Sequence, residues 1–341
     1  MWYGRAHGKL NLTLSVGAPL PPGLPPPNDE RAGWHPISSW MHAIALHDGV
    51  RVTRVREGEP SVYDVRWAGE QASNFEQDPG TPVAWAAETD LTAKAHRVME
   101  RWAGRELPVR IEVRKRIPDG GGLGGGSSDA ASALVGVALV HGLRPERRDW
   151  NGMAWRVGSD VGFFLDHRPR GPLTNLEEAG AIAPRSALVS GFGDRVRRVP
   201  GRAGVGVVLV LPGVGCATPT VYKTFDRVGP GEGRGEDWAS REAHAGEVAA
   251  LARASSRGDL GWSGQLRNDL ERAARKVEAR VGEVLDRLRS RLGTPVHMTG
   301  SGSTLFALTP PGGEGELAAC ASGALEGMAG VRVMATTLAS S

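Results

Sequence analysis

The chain has 341 residues, 40% of them hydrophobic and 23% charged, a composition typical of a globular protein large enough for two domains. Its two cysteines, Cys216 and Cys320, are too few for a disulfide framework or a zinc cluster. The net charge of +3 comes without a basic block, which argues against nucleic acid as a partner. The sequence shows neither a signal-peptide pattern nor the roughly 20 apolar residues of a membrane span, so we predict a cytoplasmic protein that contacts no membrane.

The first predicted element is a strand at residues 8–16, in which apolar and polar residues alternate. Lys9 and Asn11 share its polar face, opposite the face that would be buried in the core. Before the middle of the chain, residue spacing and composition further predict strands at 41–56 and 109–113, a helix at 83–104, and loops at 17–32 and 57–82.

A glycine-rich segment that begins at Pro118 leads into a predicted helix that ends near Gly142. The remaining predicted segments are a helix with an apolar stretch at 151–166, an insertion at 167–190, a buried strand at 205–211, a polar glycine-rich connection at 228–237 and one long amphipathic helix at 266–292. Strands and helices that interleave in this irregular way predict the α+β class.

The glycine-rich segment is the strongest chemical signal in the sequence. Backbone N–H groups that carry almost no side chains can surround a polyanion, and the following helix adds the positive end of its dipole. A flexible linker is the alternative, but a linker would not join a regular strand to a well-defined helix start. We therefore predict a phosphate-binding loop for ATP made of Pro118, Gly120, Gly121, Gly122, Leu123, Gly124, Gly125, Gly126, Ser127 and Ser128.

Two better-known phosphate loops do not fit this segment. The Walker pattern needs a lysine after its last glycine, and none follows here. The dinucleotide pattern is matched formally by Gly120, Gly122 and Gly125, but such a match is easily made in a run of glycines. A dinucleotide site also needs a strand that ends in Asp or Glu about 20 residues later, and residues 145–150 do not read as a strand end.

Three separate segments resemble the motifs of the galactokinase, homoserine kinase, mevalonate kinase and phosphomevalonate kinase (GHMP) superfamily, and they do so in the same order. The first is Ala6-His7-Gly8-Lys9-Leu10-Asn11-Leu12, the second is the glycine loop, and the third runs from Met298 to Phe306. The resemblance spans nearly the whole chain and implies an ATP-dependent small-molecule kinase.

Within this superfamily, the sequence most resembles the family of 4-diphosphocytidyl-2-C-methyl-D-erythritol kinases, of the non-mevalonate isoprenoid pathway. Residues 122–131 have that family's form of the glycine loop. Four other segments are similar to its motifs, namely 33–35, 158–164, 218–223 and 268–271. The implied reaction is ATP-dependent phosphorylation of the 2-hydroxyl of 4-diphosphocytidyl-2-C-methyl-D-erythritol.

The sequence departs from the family pattern at several positions. His7 and Gly8 precede Lys9 where the family usually has Pro-Ala, and Gly162 stands where a proline is usual. Asp90-Leu91 occupies the place of an Asn-Leu pair that precedes the first long helix, which affects the expected adenine contacts. None of these departures removes a predicted catalytic side chain.

The resemblance implies a two-lobed fold. Its N-terminal lobe, residues 1–190, would be similar to the second domain of ribosomal protein S5, and its C-terminal lobe, residues 191–341, would be ferredoxin-like. By the same resemblance, Asp160 accepts the proton of the substrate hydroxyl, Lys9 stabilises the developing negative charge and Asn11 binds a substrate hydroxyl. Judged on the residues alone, Asp160 could instead be a helix cap and Lys9 a surface charge.

The cytidine end of such a substrate is expected to need aromatic contacts. Trp34 and Tyr222 are the predicted stacking residues, although both could be ordinary packing aromatics. His35 is predicted to read the cytosine edge, Thr218 to form a hydrogen bond nearby and Lys115 to lie near ATP. The predicted cofactors are ATP and Mg²⁺, with Ser128 a candidate contact to Mg-ATP, and the predicted assembly is a monomer or homodimer.

The sequence leaves two other functions open. One is a kinase of the same superfamily that acts on a mevalonate-like or sugar acceptor, and its turnover would be unaffected by loss of Trp34 or Tyr222. The other is a non-catalytic nucleotide-binding regulatory protein, which would bind ATP without transferring phosphate.

Overall fold

The structure is a computed structural model that describes residues 1–23, 32–69, 80–166, 183–229, 241–254 and 260–340. Parts of four predicted segments lie outside these residues: 24–31 of the proline-rich loop, 70–79 of the segment 57–82, 167–182 of the predicted insertion and 230–237 of the glycine-rich connection. The described residues form two β-sheets with helices packed against them, which confirms the α+β class.

The first sheet is built around one long strand, β2. Its members are β1 (Trp2–Val16), β2 (Ile37–Arg54), β3 (Val62–Trp67), β4 (Thr81–Pro82), β5 (Val109–Lys115), β6 (Ala187–Gly191) and β7 (Arg195–Arg198). The strand order is β4-β3-β5-β2-β6-β7, with β1 paired along the other edge of β2. β3 pairs with β5 in parallel, and the remaining pairs are antiparallel. β2 joins the two halves of this sheet, because β6 pairs with its first residues and β5 with its last residues.

Within the described ranges, four α-helices accompany the first sheet: α1 (Leu91–Ala103), α2 (Gly125–Val140), α3 (Arg147–Val157) and α4 (Val161–Phe164). Helix α2 packs against α1, β1 and β2. Its residues are small and apolar around most of the circumference, as expected for a helix that is buried on several sides. The first turn of α2, residues 125–128, is also the last part of the predicted phosphate loop, and this packing holds it at the sheet.

The second sheet has the strand order β11-β8-β10-β9 and is antiparallel throughout. Its strands are β8 (Gly206–Leu211), β9 (Val296–Met298), β10 (Leu305–Thr309) and β11 (Arg332–Thr337). The helices of this half are α5 (Thr218–Val228), α6 (Arg241–Ala254), α7 (Glu271–Val277), α8 (Ala279–Arg291) and α9 (Glu314–Ala324). Numbered within the sheet, the order is 4-1-3-2, which is the ferredoxin-like arrangement predicted for this lobe.

The two sheets share an apolar layer. Leu10 and Trp40 of the first sheet pack in one cluster with Leu209 and Phe306 of the second. Backbone hydrogen bonds add to this contact, since the N–H of Leu14 donates to the carbonyl of Arg267 at 2.9 Å. The hairpin of β6 and β7 belongs to the first sheet on both sides of residue 190. The lobe boundary at residue 190 stays a proposal.

Several predicted elements differ from the structure. The helix predicted at 83–104 begins only at Leu91, and the insertion predicted at 167–190 contains the start of β6 at Ala187. β1 starts at Trp2 and is buried on both faces over most of its length, because loops of the second half cover its polar side. The segment predicted as a loop at 57–82 contains the strand β3, which the sequence did not indicate because of its charged residues. Asp64 of β3 forms an ion pair with Arg114 of β5 at 3.1 Å. The helix predicted at 266–292 is two helices, because Glu278 has an extended backbone with φ −133° and ψ 99°.

Three buried histidines make the stability of this fold depend on pH. Burial lowers the pKa of His7, His42 and His297 from 6.5 to about 4. Each histidine is therefore protonated more readily in the unfolded chain, so unfolding takes up protons below about pH 6.5. Stability that is fully present above that pH is lost as the pH falls toward 4, with each histidine contributing roughly 1–3 kcal/mol to the loss.

We expect the free energy of unfolding in urea to fall steadily between about pH 7 and pH 5. The control variant is His42→Gln, because Nε2 of His42 accepts the N–H of Arg202 at 3.1 Å and a glutamine amide oxygen can replace it. This variant should take up about one proton fewer on unfolding. An unfolding free energy that does not change over this range would contradict the prediction.

Candidate active site

The polar face of β1 forms the floor of the candidate site. Lys9 is 3% exposed, and its ammonium donates a hydrogen bond to the amide oxygen of Asn11. Nδ2 of Asn11 donates to Oγ of Ser39 at 2.7 Å, and Ser39 donates to the carbonyl of Thr13 at 2.7 Å. This chain of hydrogen bonds holds the side chains of Lys9 and Asn11 in fixed positions. Lys9 is thus a buried cation and not a surface charge.

Asp160 supplies the negative charge next to Lys9. Its Oδ2 lies 3.5 Å from Nζ of Lys9, and about a quarter of its side chain is exposed, 28%. Asp160 directly precedes α4, which is anchored by buried Phe163 and Phe164. Within the described part of the chain, its side chain forms no capping hydrogen bond to this helix. The carboxylate is therefore available to the cavity and does not serve as a helix cap.

The glycine loop lies between β1 and the turn that joins β9 to β10, and it is hydrogen-bonded to both. The N–H of Lys9 donates to the carbonyl of Leu123 at 2.8 Å, and the N–H of Thr304 donates to the carbonyl of Gly121 at 3.4 Å. Helix α2 begins at Gly125, so its positive dipole end points into the loop. The second and third sequence motifs thus meet beside the first, as a phosphate site requires.

Gly122 occupies the tightest position of this junction. Its φ is +76°, and a Cβ atom would lie 2.7 Å from the carbonyl oxygen of Thr299. Gly122→Ala is expected to lower the free energy of unfolding by about 1–2 kcal/mol, because alanine is strained in a left-handed backbone. The close contact with Thr299 should lower it further. It should also raise the KM for ATP, because the loop must move away from the turn.

The matched control is Gly120→Ala. Gly120 also has a positive φ, +65°, but a Cβ atom there would have open space around it. Thermal unfolding and the KM for ATP, measured for both variants, separate backbone strain from the contact with Thr299. Equal effects of the two substitutions would show that the contact has no importance.

Lys115 lies beneath the loop in a buried ion cluster. Its Nζ is 2.8 Å from Oδ2 of Asp48 and 2.7 Å from Oδ2 of Asp129. Asp48 also accepts the N–H of Ile117 at 2.7 Å. Burial acts to lower the pKa of Lys115, but the two carboxylates outweigh it and raise the pKa above its ordinary value. Lys115 thus joins two buried carboxylates next to the loop. Its predicted position near ATP stays a prediction.

A cavity of about 690 Å³ joins these parts, within the usual size range of small-molecule sites. Of the predicted loop residues, Gly122, Gly124 and Ser127 line it. Ser128 is buried behind the loop. The other predicted residues that line the same cavity are Lys9, Asn11, Trp34, His35, Asp160, Thr218 and Tyr222. A larger concavity of about 980 Å³ lies beside it but includes neither Lys9 nor the loop, so we place the chemistry in the smaller cavity.

The far end of the cavity, lined by Trp34, His35 and Tyr222, is its aromatic end. The Trp34 ring is 5.8 Å from the ring of Trp155 and 6.2 Å from that of Phe192, and it is 47% exposed. An exposed tryptophan that is supported from behind offers a free face to a ligand ring. Burial, with the negative charge of Asp160 second, raises the pKa of the Tyr222 phenol above its ordinary value. The phenol therefore stays neutral at physiological pH.

Some residues at the site were not predicted from the sequence. Oγ of Ser301 lies 2.7 Å from Oγ1 of Thr218, so a turn of the third motif meets the start of α5. Asp226 and Lys223, both on α5, also line the cavity. Asp90, which stands where the family has Asn before the first long helix, caps α1: its Oδ1 accepts the N–H of Thr92 at 2.9 Å. The spacing of Asp226 four residues after Tyr222 was the available signal, because it places both on one face of α5.

Comparisons with known proteins agree with this geometry. Residues 90–166 match the family model of the GHMP kinases N-terminal domain, and residues 248–324 match that of the GHMP kinases C-terminal domain. The 4-diphosphocytidyl-2-C-methyl-D-erythritol kinase of Hyphomonas neptunium is 31% identical over 306 residues, 89% of this chain and 86% of that protein. The enzyme of the same name from Cutibacterium acnes is 31% identical over 88% of this chain and 83% of that protein.

Solved structures show the same relation. A crystal structure of 4-(cytidine 5′-diphospho)-2C-methyl-D-erythritol kinase superposes with a TM-score of 0.66 at 27% identity and covers 99% of this chain and 100% of that chain. The homoserine kinase of Cytophaga hutchinsonii, at 16% identity, has a TM-score of 0.63 and covers 99% of this chain and 95% of that chain, which shows the shared fold alone.

The two-lobed fold, the clasped glycine loop and the matched domains define an ATP-dependent small-molecule kinase of the GHMP superfamily. The sequence identity of 31% with each of the two relatives, over more than four-fifths of each protein, shows which family within this superfamily the chain is in. The chain belongs to the 4-diphosphocytidyl-2-C-methyl-D-erythritol kinase family.

Proposed function

We propose that this protein transfers the γ-phosphate of ATP to the 2-hydroxyl of 4-diphosphocytidyl-2-C-methyl-D-erythritol, a step of the non-mevalonate route to isoprenoid precursors. The observation that supports this most is one cavity that contains the Lys9–Asp160 pair, with the glycine loop at its side and Trp34 and Tyr222 at its far end. A substrate with a nucleoside at one end and a reacting hydroxyl at the other suits that arrangement.

The proposed chemistry uses positioning and charge more than covalent catalysis. The substrate oxygen forms a bond to the γ-phosphorus, the bond from that phosphorus to the β,γ-bridging oxygen breaks, and ADP leaves. Asp160 accepts the hydroxyl proton, and the ammonium of Lys9 stabilises negative charge on the transferring group. A carboxylate is a weak base for an alcohol proton, so proton transfer follows the start of phosphorus–oxygen bond formation. Asn11 holds Lys9 in place and has one N–H left for a substrate hydroxyl.

Magnesium is proposed to enter as Mg-ATP. Ser127 lines the cavity whereas Ser128 is buried, so the contact of Ser128 with the metal stays a prediction from the sequence. Over the described ranges, no group of three or more His, Cys, Asp or Glu residues is arranged to hold a metal ion. The same part of the chain contains no helix long and apolar enough to cross a membrane. Cytoplasmic location, a monomeric or homodimeric state and the lack of a nucleic-acid partner stay predictions.

The direct test is ADP release by the purified protein with Mg-ATP and 4-diphosphocytidyl-2-C-methyl-D-erythritol, with mevalonate and homoserine run in parallel. Turnover restricted to the cytidine substrate supports the proposal. Turnover with another acceptor would keep the kinase class and reject the substrate. ATP binding with no turnover on any acceptor would favour the regulatory alternative.

Trp34→Ala tests the aromatic end. Base stacking is worth roughly 1–3 kcal/mol, so the KM for the cytidine substrate should rise about 5- to 150-fold with little change in the KM for ATP. Trp34→Tyr is the matched control, because it keeps an aromatic face and should recover most of the affinity. Unchanged KM values in Trp34→Ala would contradict a stacking role for this residue.

A further inference from the structure

The larger concavity beside the candidate active site, of about 980 Å³, has a surplus of positive charge. Helix α3, the segment that joins α3 to α4, and the hairpin of β6 and β7 form most of its walls. The charged residues that line it are Arg147, Asp166, Arg185, Asp194, Arg195, Arg197 and Arg198. Five arginines and two aspartates give it a net charge of +3. Because a concavity lined by one sign of charge concentrates ligands of the opposite sign, this one favours anions.

Two of these arginines are bound to a carboxylate of the same concavity. Both oxygens of Asp166 accept a hydrogen bond from the guanidinium of Arg185, each at 2.8 Å. Nε of Arg198 lies 3.3 Å from Oδ1 of Asp166, and its terminal nitrogens donate to two backbone carbonyls at 2.7 and 2.6 Å. The other carboxylate, that of Asp194, accepts a backbone N–H of its own hairpin at 2.8 Å. Arg185 and Arg198 therefore have their partners within the fold.

The other three arginines, Arg147, Arg195 and Arg197, are exposed, and their guanidinium groups form neither a hydrogen bond nor an ion pair within the described residues. Arg195 and Arg197 lie on β7, the last strand of its sheet, where cations prevent pairing with another chain. That role does not explain Arg147, the first residue of α3, because a positive charge there opposes the helix dipole. The next residue, Arg148, has Glu146 as its partner at 3.2 Å. An anion in the concavity would offset the unfavourable charge of Arg147.

We propose that this concavity is a second binding site, for a small molecule that carries at least two phosphate groups. A guanidinium group donates paired hydrogen bonds to phosphate oxygens, so arginine is the side chain best suited to recognise phosphate. Three unpaired arginines on two elements match several phosphate groups better than one small anion. The volume of about 980 Å³ lies at the upper end of the range for small-molecule sites. The established phosphate loop is not part of this site, because none of its residues lines the concavity.

The second site adjoins the candidate active site, because Gly158 and Ser159 line both cavities. The test must therefore separate phosphate binding at the arginines from phosphate binding at the glycine loop. The probe is radiolabelled inorganic pyrophosphate, in equilibrium dialysis without Mg²⁺. Arg195→Gln combined with Arg197→Gln should weaken binding about 5- to 30-fold, because two exposed ion pairs are lost. Gly122→Ala, in the loop, should bind pyrophosphate like the wild-type protein.

The control for net charge is Arg56→Gln combined with Arg101→Gln. This variant removes two exposed arginines that do not line the concavity, so its affinity for pyrophosphate should equal that of the wild-type protein. Dialysis needs no turnover, so the result is independent of the proposed kinase reaction.

Arg147→Gln separates ligand binding from a structural role. It should weaken pyrophosphate binding about two- to fivefold, because one exposed ion pair is lost. Thermal unfolding without ligand should stay unchanged or move slightly upward, because the substitution removes a charge that opposes the dipole of α3. A lower unfolding temperature without ligand, at wild-type affinity for pyrophosphate, would assign Arg147 to the fold and contradict its role in the site.

Several outcomes would overturn the inference. One is a wild-type protein that binds no pyrophosphate, or that binds it no more tightly than the variant with Arg195→Gln and Arg197→Gln. Another is binding that is lost in Gly122→Ala and kept in that arginine variant, which would place the anion at the glycine loop. An equal loss in the net-charge control would show that overall charge attracts the anion. A short single-stranded oligonucleotide that binds these arginines more tightly than pyrophosphate would replace the small molecule with a nucleic acid.

Discussion

Asp160→Asn is expected to lower kcat by about 10²–10⁴-fold while the KM for ATP stays nearly constant. The asparagine amide fills the same space but cannot accept the hydroxyl proton, and Lys9 loses its charged neighbour at 3.5 Å. The change should be confined to the chemical step, because Asp160 is partly exposed and forms no capping bond among the described residues. Single-turnover measurements with the cytidine substrate separate this step from product release.

The same measurements on Lys9→Met, and on the double variant that combines Lys9→Met with Asp160→Asn, complete this experiment. If Lys9 and Asp160 act as a unit, the double variant should be little slower than the slower single variant. Losses of the two single variants that simply multiply would indicate independent roles. An Asp160→Asn enzyme with wild-type kcat would remove Asp160 from the mechanism.

Lys115→Met is expected to destabilise the fold by about 3–5 kcal/mol, because it leaves two buried carboxylates without their cation. The side chains of Asp48 and Asp129 are 0% and 1% exposed, so water cannot replace the ammonium. Burial already raises the pKa of Asp129, and the loss of Lys115 would remove the contact that opposes this shift. Urea unfolding gives the free energy directly.

A second substitution tests whether charge is the cause. Asp129→Asn added to Lys115→Met removes one of the two stranded charges, so the double variant should be more stable than Lys115→Met alone. The KM for ATP of variants that fold reports whether the cluster also positions the glycine loop. A Lys115→Met protein with wild-type stability would show that this ion cluster does not stabilise the fold.

The chemistry-bearing segments could be predicted from the sequence because each depends on local rules. Alternation placed Lys9 and Asn11 on one face of a strand, and the glycine run followed by small helix-forming residues indicated the loop and the start of α2. The order of three motifs indicated the superfamily, which the matched domains confirm. Local rules missed β3, because charged residues interrupt its pattern. They also predicted one helix at 266–292, because the apolar stripe continues past the helix break at Glu278.

The tertiary structure decided which side chains, far apart in the sequence, contact each other at the site. Asp48 precedes Lys115 by 67 residues, His35 precedes Asp226 by 191, and Thr218 precedes Ser301 by 83, as differences of their residue numbers show. Periodicity and backbone propensity act over a few residues, so they cannot indicate which distant side chains meet. Those contacts arise when strands pair and the two sheets bury their shared apolar layer. The sequence by itself determined the parts of the site, and packing of the two lobes determined which partner each part has.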